Sequence, residues 1–266
     1  MSANHPFARP AGYDFLAPQL AELPFFRALL RAVEARFYQS LPVLPPVLDL
    51  GCGDGSFAAH AFAQPLDVGL DPWRAPLREA HARKAHRLLT LADGGHMPFA
   101  DGAFQTIVSN SVLEHIPHLD RVLVECARVL RPGGYLLFCA PSDHFTDWLI
   151  GGALFGERYR RWFNRIARHY HCDGPQRWRE RLAAAGLILE RWWYYFSPRA
   201  LRALELGHYL GVPNLINRAL FKRWVLFPSQ RNPTLRLVEA VLRPIYEEPL
   251  PEVGAYLFGV ARKPEA

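Results

Sequence analysis

Residues 47–63 constrain the fold of this chain more than any other segment. Val47–Leu50 predicts a short buried strand, glycines follow at positions 51, 53 and 55, and a helical pattern begins at Ser56. In an open parallel sheet a ligand binds beyond the carboxyl ends of the strands, where glycines let the backbone approach it closely. The segment therefore predicts an α/β sheet with a ligand site at this turn, and an ordinary tight turn is the alternative interpretation.

The spacing of the glycines limits the kind of ligand. A dinucleotide-binding turn has the pattern G-x-G-x-x-G, which would place its third glycine at Ser56 rather than at Gly55. Asp49 and Asp54 put two carboxylates at the turn, and these suit a ligand with an ammonium group better than one with phosphates. The pattern therefore argues against a dehydrogenase.

A further acid, Asp71, ends the second predicted strand. A carboxylate at that place accepts hydrogen bonds from the ribose hydroxyls of an adenosine. Because NAD would use the same acid, Asp71 indicates adenosine binding without identifying the cofactor. A simple N-cap for the next helix is the alternative interpretation.

The rest of the chain alternates strands with helices, which predicts a parallel sheet covered on both faces. The predicted strands are 47–50, 66–70, 87–92, 104–109, 135–140, 187–196 and 255–261. The main helices between them are 56–63, 75–85, 119–130, 147–167 and 175–185. The sequence Pro-Gly-Gly at 132–134 predicts a turn.

Two regions lie outside this alternation. Residues up to about 20 predict an irregular arm. An amphipathic helix is predicted next, with apolar Phe26, Leu29, Leu30, Val33 and Phe37 and with Arg27, Arg31, Glu34 and Arg36 between them. We expect one domain, made of an arm and cap helix (1–46), a cofactor-binding core (47–141), substrate-side helices with the sixth strand (142–197), a helical insertion (198–254) and a last strand and tail (255–266).

The composition bounds the setting of the protein. Half of the 266 residues are apolar, as in ordinary globular domains, and the net charge of +6 suggests an anionic partner without choosing between a small molecule, a lipid surface and nucleic acid. None of the four cysteines forms a C-x-x-C pair. The N-terminus lacks a signal-peptide pattern, and no apolar run approaches the roughly 20 residues that span a bilayer. We expect a cytoplasmic protein without a metal site, and the oligomeric state is not indicated.

Five motifs follow one another between residues 47 and 141: V-L-D-L-G-C-G-D-G, G-L-D, L-A-D-G-G-H-M-P-F-A-D-G-A-F, S-N-S-V-L-E-H-I and R-V-L-R-P-G-G-Y-L-L. In this order they closely resemble the UbiE-like class I S-adenosylmethionine-dependent methyltransferases, the methyltransferase type 11 group. They cover a little over a third of the chain. The resemblance implies a Rossmann-like, doubly wound sheet of seven strands, six parallel and the last antiparallel, with S-adenosylmethionine as cofactor.

The resemblance also implies a place for each cofactor-binding residue. The methionine part of the cofactor would lie beside Gly51, Cys52, Gly53, Asn110 and Ser111, with Asp49 near its ammonium group. Asp71 would hold the ribose. Pro72 and Trp73 would flank the adenine, and Asp93, beside Gly94, would meet the adenine amino group.

Methyl transfer requires alignment of the acceptor, methyl group and sulfur, and a general base helps when the acceptor is a hydroxyl or carbon acid. His115, in the L-E-H-I motif, and His144, after the fifth strand, are candidate bases at the ligand edge, and His171 is a third candidate. A structural or exposed histidine is the alternative for each. The pattern His169-x-His171-Cys172 superficially resembles a metal site but has no second ligand cluster in the sequence.

Residues after the fifth strand carry the weakest signals. Aromatic residues and arginines alternate between 148 and 170, which suits a flat or anionic acceptor or RNA, or a helix with a solvated basic face. Residues 214–227 form a basic amphipathic pattern that predicts either a roof over the site or a peripheral membrane contact.

We expect transfer of a methyl group to O, C or N of a small organic acceptor that is lipid-like, quinone-like or anionic. An RNA or protein methyltransferase is one alternative. The sequence Ser109-Asn110-Ser111 stands where many base N-methyltransferases have N-P-P, and this argues against nucleic acid as a partner. A non-catalytic protein that keeps the cofactor fold is the other alternative.

Overall fold

The alternating pattern of the sequence folds into one seven-stranded sheet. The computed structural model describes residues 5–221, 223–227 and 232–265, without the side chains of residues 212 and 213. The strands are β1 Val47–Leu50, β2 Leu66–Asp71, β3 His86–Leu91, β4 Phe104–Asn110, β5 Leu130–Pro141, β6 Ile188–Tyr195 and β7 Tyr256–Arg262. Their order is β3-β2-β1-β4-β5-β7-β6, and β7 alone runs antiparallel to its neighbours. The predicted fold class is confirmed.

Helices cover both faces of the sheet. They are α1 Leu16–Leu20, α2 Phe25–Tyr38, α3 Ser56–Ala61, α4 Arg74–Arg83, α5 Leu119–Val129, α6 Ile150–Ala167, α7 Pro175–Ala184, α8 Pro198–Leu210, α9 Val212–Phe221 and α10 Pro233–Tyr246. Two hydrophobic clusters form because successive side chains of a strand point to opposite faces. Val47 joins the cluster beneath α2 and α8, whereas Leu48 and Leu50 join the cluster beneath α5 and α7.

The N-terminal arm differs from its prediction. It contains the short helix α1, which packs against α2 and α10, where the prolines and the glycine predicted irregular structure only. Local residue preferences missed this helix because it is stabilised by tertiary packing, with Leu16 and Leu20 buried.

The Pro-Gly-Gly sequence at 132–134 lies inside β5 rather than in a separate turn. Leu130 pairs with Phe104 and Tyr135 with Thr106, so four residues of β5 bulge opposite Gln105 of β4. Gly133 supports the bulge with φ +73°. The predicted break in the pattern is therefore real, but the strand continues across it.

The strand order fixes where a ligand can bind. From β1 the chain adds β2 and β3 on one side of β1, and it then adds β4 on the other side of β1. The carboxyl ends of β1 and β4 therefore flank the point where the strand order reverses. Helices α2 and α8 pack together over this edge. In the part of the chain that the structure describes, no helix is long and apolar enough to cross a membrane.

Candidate functional site

Three glycines in left-handed conformations shape the turn after β1. The φ angles are +77° at Gly51, +54° at Gly53 and +73° at Gly55. The Gly51 amide donates to the Leu70 carbonyl of β2 at 2.8 Å. A Cβ added to Gly51 would lie 2.4 Å from Val112 Cγ1, whereas one added to Gly53 would meet no heavy atom within 4 Å. Gly51 is therefore required by close packing, and Gly53 borders open space.

The carboxylate of Asp71 holds the other side of this turn. Its Oδ2 accepts a hydrogen bond from the Gly53 amide at 3.0 Å, and its Oδ1 accepts one from the Trp73 amide at 2.9 Å. Burial raises the pKa of Asp71. A carboxylate has about four acceptor positions, so two remain for the hydroxyls of a ligand.

A buried carboxylate on α2 organises the end of β4. Glu34 is 0% exposed, and its Oε2 accepts hydrogen bonds from Arg31 at 2.8 Å and from Asn110 Nδ2 at 2.6 Å. Its Oε1 accepts from Ser111 Oγ at 2.9 Å and from the Tyr195 hydroxyl at 2.8 Å. We call these five residues the Glu34 network. The network fixes Asn110, the last residue of β4, and Ser111, the residue after it.

The Glu34 network corrects the sequence prediction for α2. The amphipathic pattern places Arg31 and Glu34 between the apolar positions of the helix, but both side chains point toward the end of β4. The hydrophobic periodicity shows which face of the helix is buried. It does not show that polar residues beside this face form a buried salt bridge.

Two adjoining cavities open at this edge of the sheet. The smaller, of about 310 Å³, is lined by the glycine turn (Gly51, Cys52, Gly53), by Asn110 and Ser111, and by Trp224 of the insertion, among others. The larger, of about 1160 Å³, lies between α2, α6 and α8. Arg27, Arg31 and Ser111 line both cavities. The two cavities therefore meet at these three residues, and a molecule in the smaller cavity would lie next to one in the larger.

A sequence profile described as a methyltransferase domain matches residues 48–138. An uncharacterised methyltransferase of Mycobacterium sp. (strain JLS) is 32% identical over 185 residues, which cover 60% of this chain and 73% of that protein. The chain belongs to the class I S-adenosylmethionine-dependent methyltransferases. It is an enzyme, and its cofactor is S-adenosylmethionine, as the motifs predicted.

Other relatives of this methyltransferase share shorter segments. The trans-aconitate 2-methyltransferase of Deinococcus radiodurans is 35% identical over 120 residues, which cover 43% of this chain and 46% of that enzyme. The solved structure of an S-adenosylmethionine-dependent methyltransferase from Mesorhizobium loti superposes with a TM-score of 0.52 at 18% identity, covering 89% of this chain and 99% of that one. The structural likeness supports the fold.

The smaller cavity fits the cofactor of a methyltransferase. A side chain at Gly53 would extend into open space that the cofactor would fill. Asp71 is not among the described residues that line the cavity, but it contacts the Gly53 amide and keeps two acceptor positions. Of the predicted cofactor residues, the structure brings Gly51, Cys52, Gly53, Asn110 and Ser111 together around this cavity.

The other predicted cofactor residues lie around this group. Asp49 Oδ2 is 2.8 Å from His86 Nε2, and both side chains are buried. Asp49 is absent from the described residues that line the two cavities, and its partner His86 gave no signal in the sequence.

The adenine-side candidates follow β2 and β3, and of the four only Gly94 is buried. Pro72 and Trp73 are exposed, and Trp73 borders the larger cavity. Asp93 accepts a hydrogen bond from the Gly95 amide at 2.7 Å, while Gly94 packs near Leu50. They remain predictions for the adenine end of the cofactor.

The three candidate bases have different surroundings. His115 lines the larger cavity, its Nδ1 is 3.0 Å from the Arg168 carbonyl, and burial lowers its pKa. His144 pairs with Asp147 at 2.7 Å, outside the lining of either described cavity. His171 bonds the Ile116 carbonyl through Nε2 at 3.0 Å. Only His115 is therefore placed where it could contact an acceptor.

Glu114 is a feature of the larger cavity that sequence reasoning missed. It is 1% exposed, and burial raises its pKa to about 8. Its Oε2 has no hydrogen-bond partner among the described residues. The only signal was its position in the L-E-H-I motif, because the sequence does not show that this carboxyl group is buried.

Positive charge dominates the lining of the larger cavity. Among the described residues, the charged ones in its lining are Arg27, Arg31, Arg161, Arg165, Arg168 and a single acid, Glu114. Apolar side chains from α2, β7 and α8 complete the wall, including Leu30, Tyr256 and Leu204. The cavity therefore combines cationic and apolar surfaces.

The segment 214–227 shows features of both of its predicted roles. Trp224 lines the smaller cavity, as a roof requires. The side chains of Ile216, Leu220 and Phe221 on α9 are 55–70% exposed, as a membrane-facing helix requires. Both roles remain predictions for this segment.

Proposed function

We propose that this methyltransferase transfers the methyl group of S-adenosylmethionine to a small acceptor that carries a carboxylate or phosphate group and an apolar part. The acceptor would occupy the larger cavity. The single observation that carries the proposal is the charge of its described lining, which has five arginines, one of them paired with Glu34, and one acid. Arginine binds planar anions with paired hydrogen bonds, so such a wall favours an anionic acceptor.

The residues that line both cavities support this proposal. Methyl transfer needs the acceptor atom, the methyl carbon and the sulfur in one line, and water must be excluded. Ser111 and Arg31 line both cavities, so an anion held by the arginines would lie next to the cofactor. The Glu34 network fixes both residues at this junction.

The relatives and the surface agree with an anionic, partly apolar acceptor. The enzyme from Deinococcus radiodurans is named for trans-aconitate, a polycarboxylate. The exposed apolar side chains of α9, such as Leu220 and Phe221, suit an acceptor that is carried on a membrane surface.

If the acceptor atom is a hydroxyl oxygen, a group must accept its proton. We assign this role to His115, because it lines the larger cavity and its Nδ1 is engaged by the Arg168 carbonyl, which leaves Nε2 to face the acceptor. A carboxylate acceptor would need no base.

The test is an assay of S-adenosylhomocysteine release with matched pairs of acceptors: free fatty acids, hydroxy acids and phosphomonoesters, each beside its neutral amide or ester. We expect turnover of an anionic member and little of its neutral partner. For that substrate, Arg165→Gln should raise KM about tenfold with a small change in kcat, since it removes one charge-assisted hydrogen bond worth about 1.5 kcal/mol. Arg177→Gln, on the exposed face of α7, is the control.

Equal turnover of the charged and neutral partners would contradict the proposal. An Arg165→Gln enzyme indistinguishable from the control would exclude Arg165 from acceptor binding.

A further inference from the structure

We propose that Glu114, His115 and His169 form a binding site for one divalent transition-metal ion in the wall of the larger cavity. One potential ligand atom of each residue lies within 4.8 Å of the other two. The sequence placed the metal interpretation on His169, His171 and Cys172. The structure instead brings His169 to the L-E-H-I motif, which supplies the second ligand cluster that the sequence lacked.

The side chains of all three residues line the larger cavity. The Oε2 atom of Glu114 is buried without a hydrogen-bond partner among the described residues, and the side chain lines the cavity. Nε2 of His115 lies 3.8 Å from Glu114 Oε1. His169 also lines the cavity, and its Nδ1 is 3.9 Å from Cys172 Sγ, which leaves Nε2 for an ion.

Contacts outside the three ligands hold them in place. Nδ1 of His115 donates to the Arg168 carbonyl at 3.0 Å, an arrangement that is usual for metal-binding histidines because it fixes the tautomer and the ring orientation. The amides of Tyr170 and His171 donate to the Glu114 carbonyl at 2.8 Å and 3.4 Å. These bonds join the turn after β4 to the segment after α6, so the site is built before an ion binds.

The donor set indicates the class of metal. One carboxylate oxygen and two imidazole nitrogens suit Zn²⁺, Co²⁺, Mn²⁺ or Fe²⁺, whereas Mg²⁺ and Ca²⁺ prefer ligands that are all oxygen. Three protein ligands leave coordination positions open toward the cavity. Nearby Arg31 and Arg168 oppose a cation, so we expect micromolar affinity for the ion alone and tighter binding when an anion fills an open position.

The experiment titrates Co²⁺ into the protein after treatment with a chelator and follows the visible absorption of the bound ion. We expect one equivalent of Co²⁺ to bind, and Zn²⁺ to displace it. Glu114→Gln and His169→Ala should each weaken binding by about tenfold or more, since each removes one ligand. The control is His144→Ala, because His144 also lies beside two acids, Asp143 and Asp147, but outside the cavity.

Thermal denaturation with and without Zn²⁺ shows whether the variants are folded. The proposal predicts that Zn²⁺ raises the melting temperature of the wild-type and His144→Ala proteins only. It is overturned if the wild-type protein binds no Co²⁺, or if folded Glu114→Gln protein binds it as tightly as wild type. An ion on His115 Nε2 prevents that atom from accepting a proton, so a confirmed metal site would withdraw the base role assigned to His115. Metal binding is measured without an acceptor, so either result leaves the proposed acceptor class to its own assay.

Discussion

Replacement of Glu34 by alanine is expected to destabilise the fold by about 3–5 kcal/mol, the range for breaking a buried ion pair by removing one partner. The change leaves the Arg31 guanidinium without its carboxylate and leaves the donors of Asn110, Ser111 and Tyr195 unsatisfied. Urea denaturation measures this loss. Because a loss of this size is a large part of the stability of a typical domain, Glu34→Gln serves for the functional comparison.

The glutamine variant tests whether the Glu34 network also serves cofactor binding. Asn110 and Ser111 line the smaller cavity, so we expect Glu34→Gln to weaken binding of S-adenosylhomocysteine by about tenfold, through loss of one charge-assisted interaction. Glu205→Gln is a matched control. Glu205 is also buried and accepts hydrogen bonds from the Ile150 and Gly151 amides, but it lines neither cavity.

Both variants should lose stability, and only Glu34→Gln should lose affinity. If the two variants keep the same affinity for S-adenosylhomocysteine, the network is structural and does not act on the cofactor site.

Gly51→Ala is expected to abolish measurable binding of S-adenosylhomocysteine. The new Cβ would lie 2.4 Å from Val112 Cγ1, so the turn and the residue after Ser111 must move apart. The positive φ adds a conformational cost of about 1–2 kcal/mol for a residue with a side chain. Because the turn lines the smaller cavity, its displacement changes the cofactor site directly.

Two further variants separate the two causes. Gly12→Ala measures the conformational cost alone, since Gly12 has φ +76° and no heavy atom within 4 Å of an added Cβ. A second substitution, Val112→Ala, removes both Cγ atoms from the clash and should restore part of the binding to Gly51→Ala protein. Urea denaturation measures the cost in Gly12→Ala, and fluorescence titration with S-adenosylhomocysteine measures binding by the Gly51→Ala and double-variant proteins. Undiminished binding by Gly51→Ala would show that the turn does not contact the cofactor.

The parts of the site that were predictable are those that depend on local backbone geometry. The glycines of the first turn and the acid that ends β2 were recognisable because only certain residues allow a left-handed turn or accept from a ribose at a strand end. The parallel sheet followed from the alternation of strands with helices, and the seven-stranded class with an antiparallel last strand followed from the family resemblance; the structure confirms both.

The parts that were missed depend on contacts between distant segments. Glu34 and Glu114 are ordinary surface-type residues in the sequence. Glu34 is buried against Asn110, Ser111 and Tyr195, and the Glu114 carbonyl accepts hydrogen bonds from amides of the segment after α6. Likewise, the Asp49–His86 pair joins β1 to β3 across β2. Periodicity reports which face of an element is apolar but not which polar side chain meets another across the fold.

The placement of the cofactor at the turn after β1 is tested by calorimetric titration of the wild-type and Asp71→Asn proteins with S-adenosylhomocysteine. We expect one binding site with micromolar affinity in the wild-type protein. The affinity of the variant should be lower by about tenfold or more, because asparagine keeps the shape of the side chain but loses its charge. Asp101→Asn, at an acid that is 82% exposed and paired with Arg128, should bind like wild type. Equal affinity in the Asp71→Asn and wild-type proteins would contradict the placement of the cofactor at this turn.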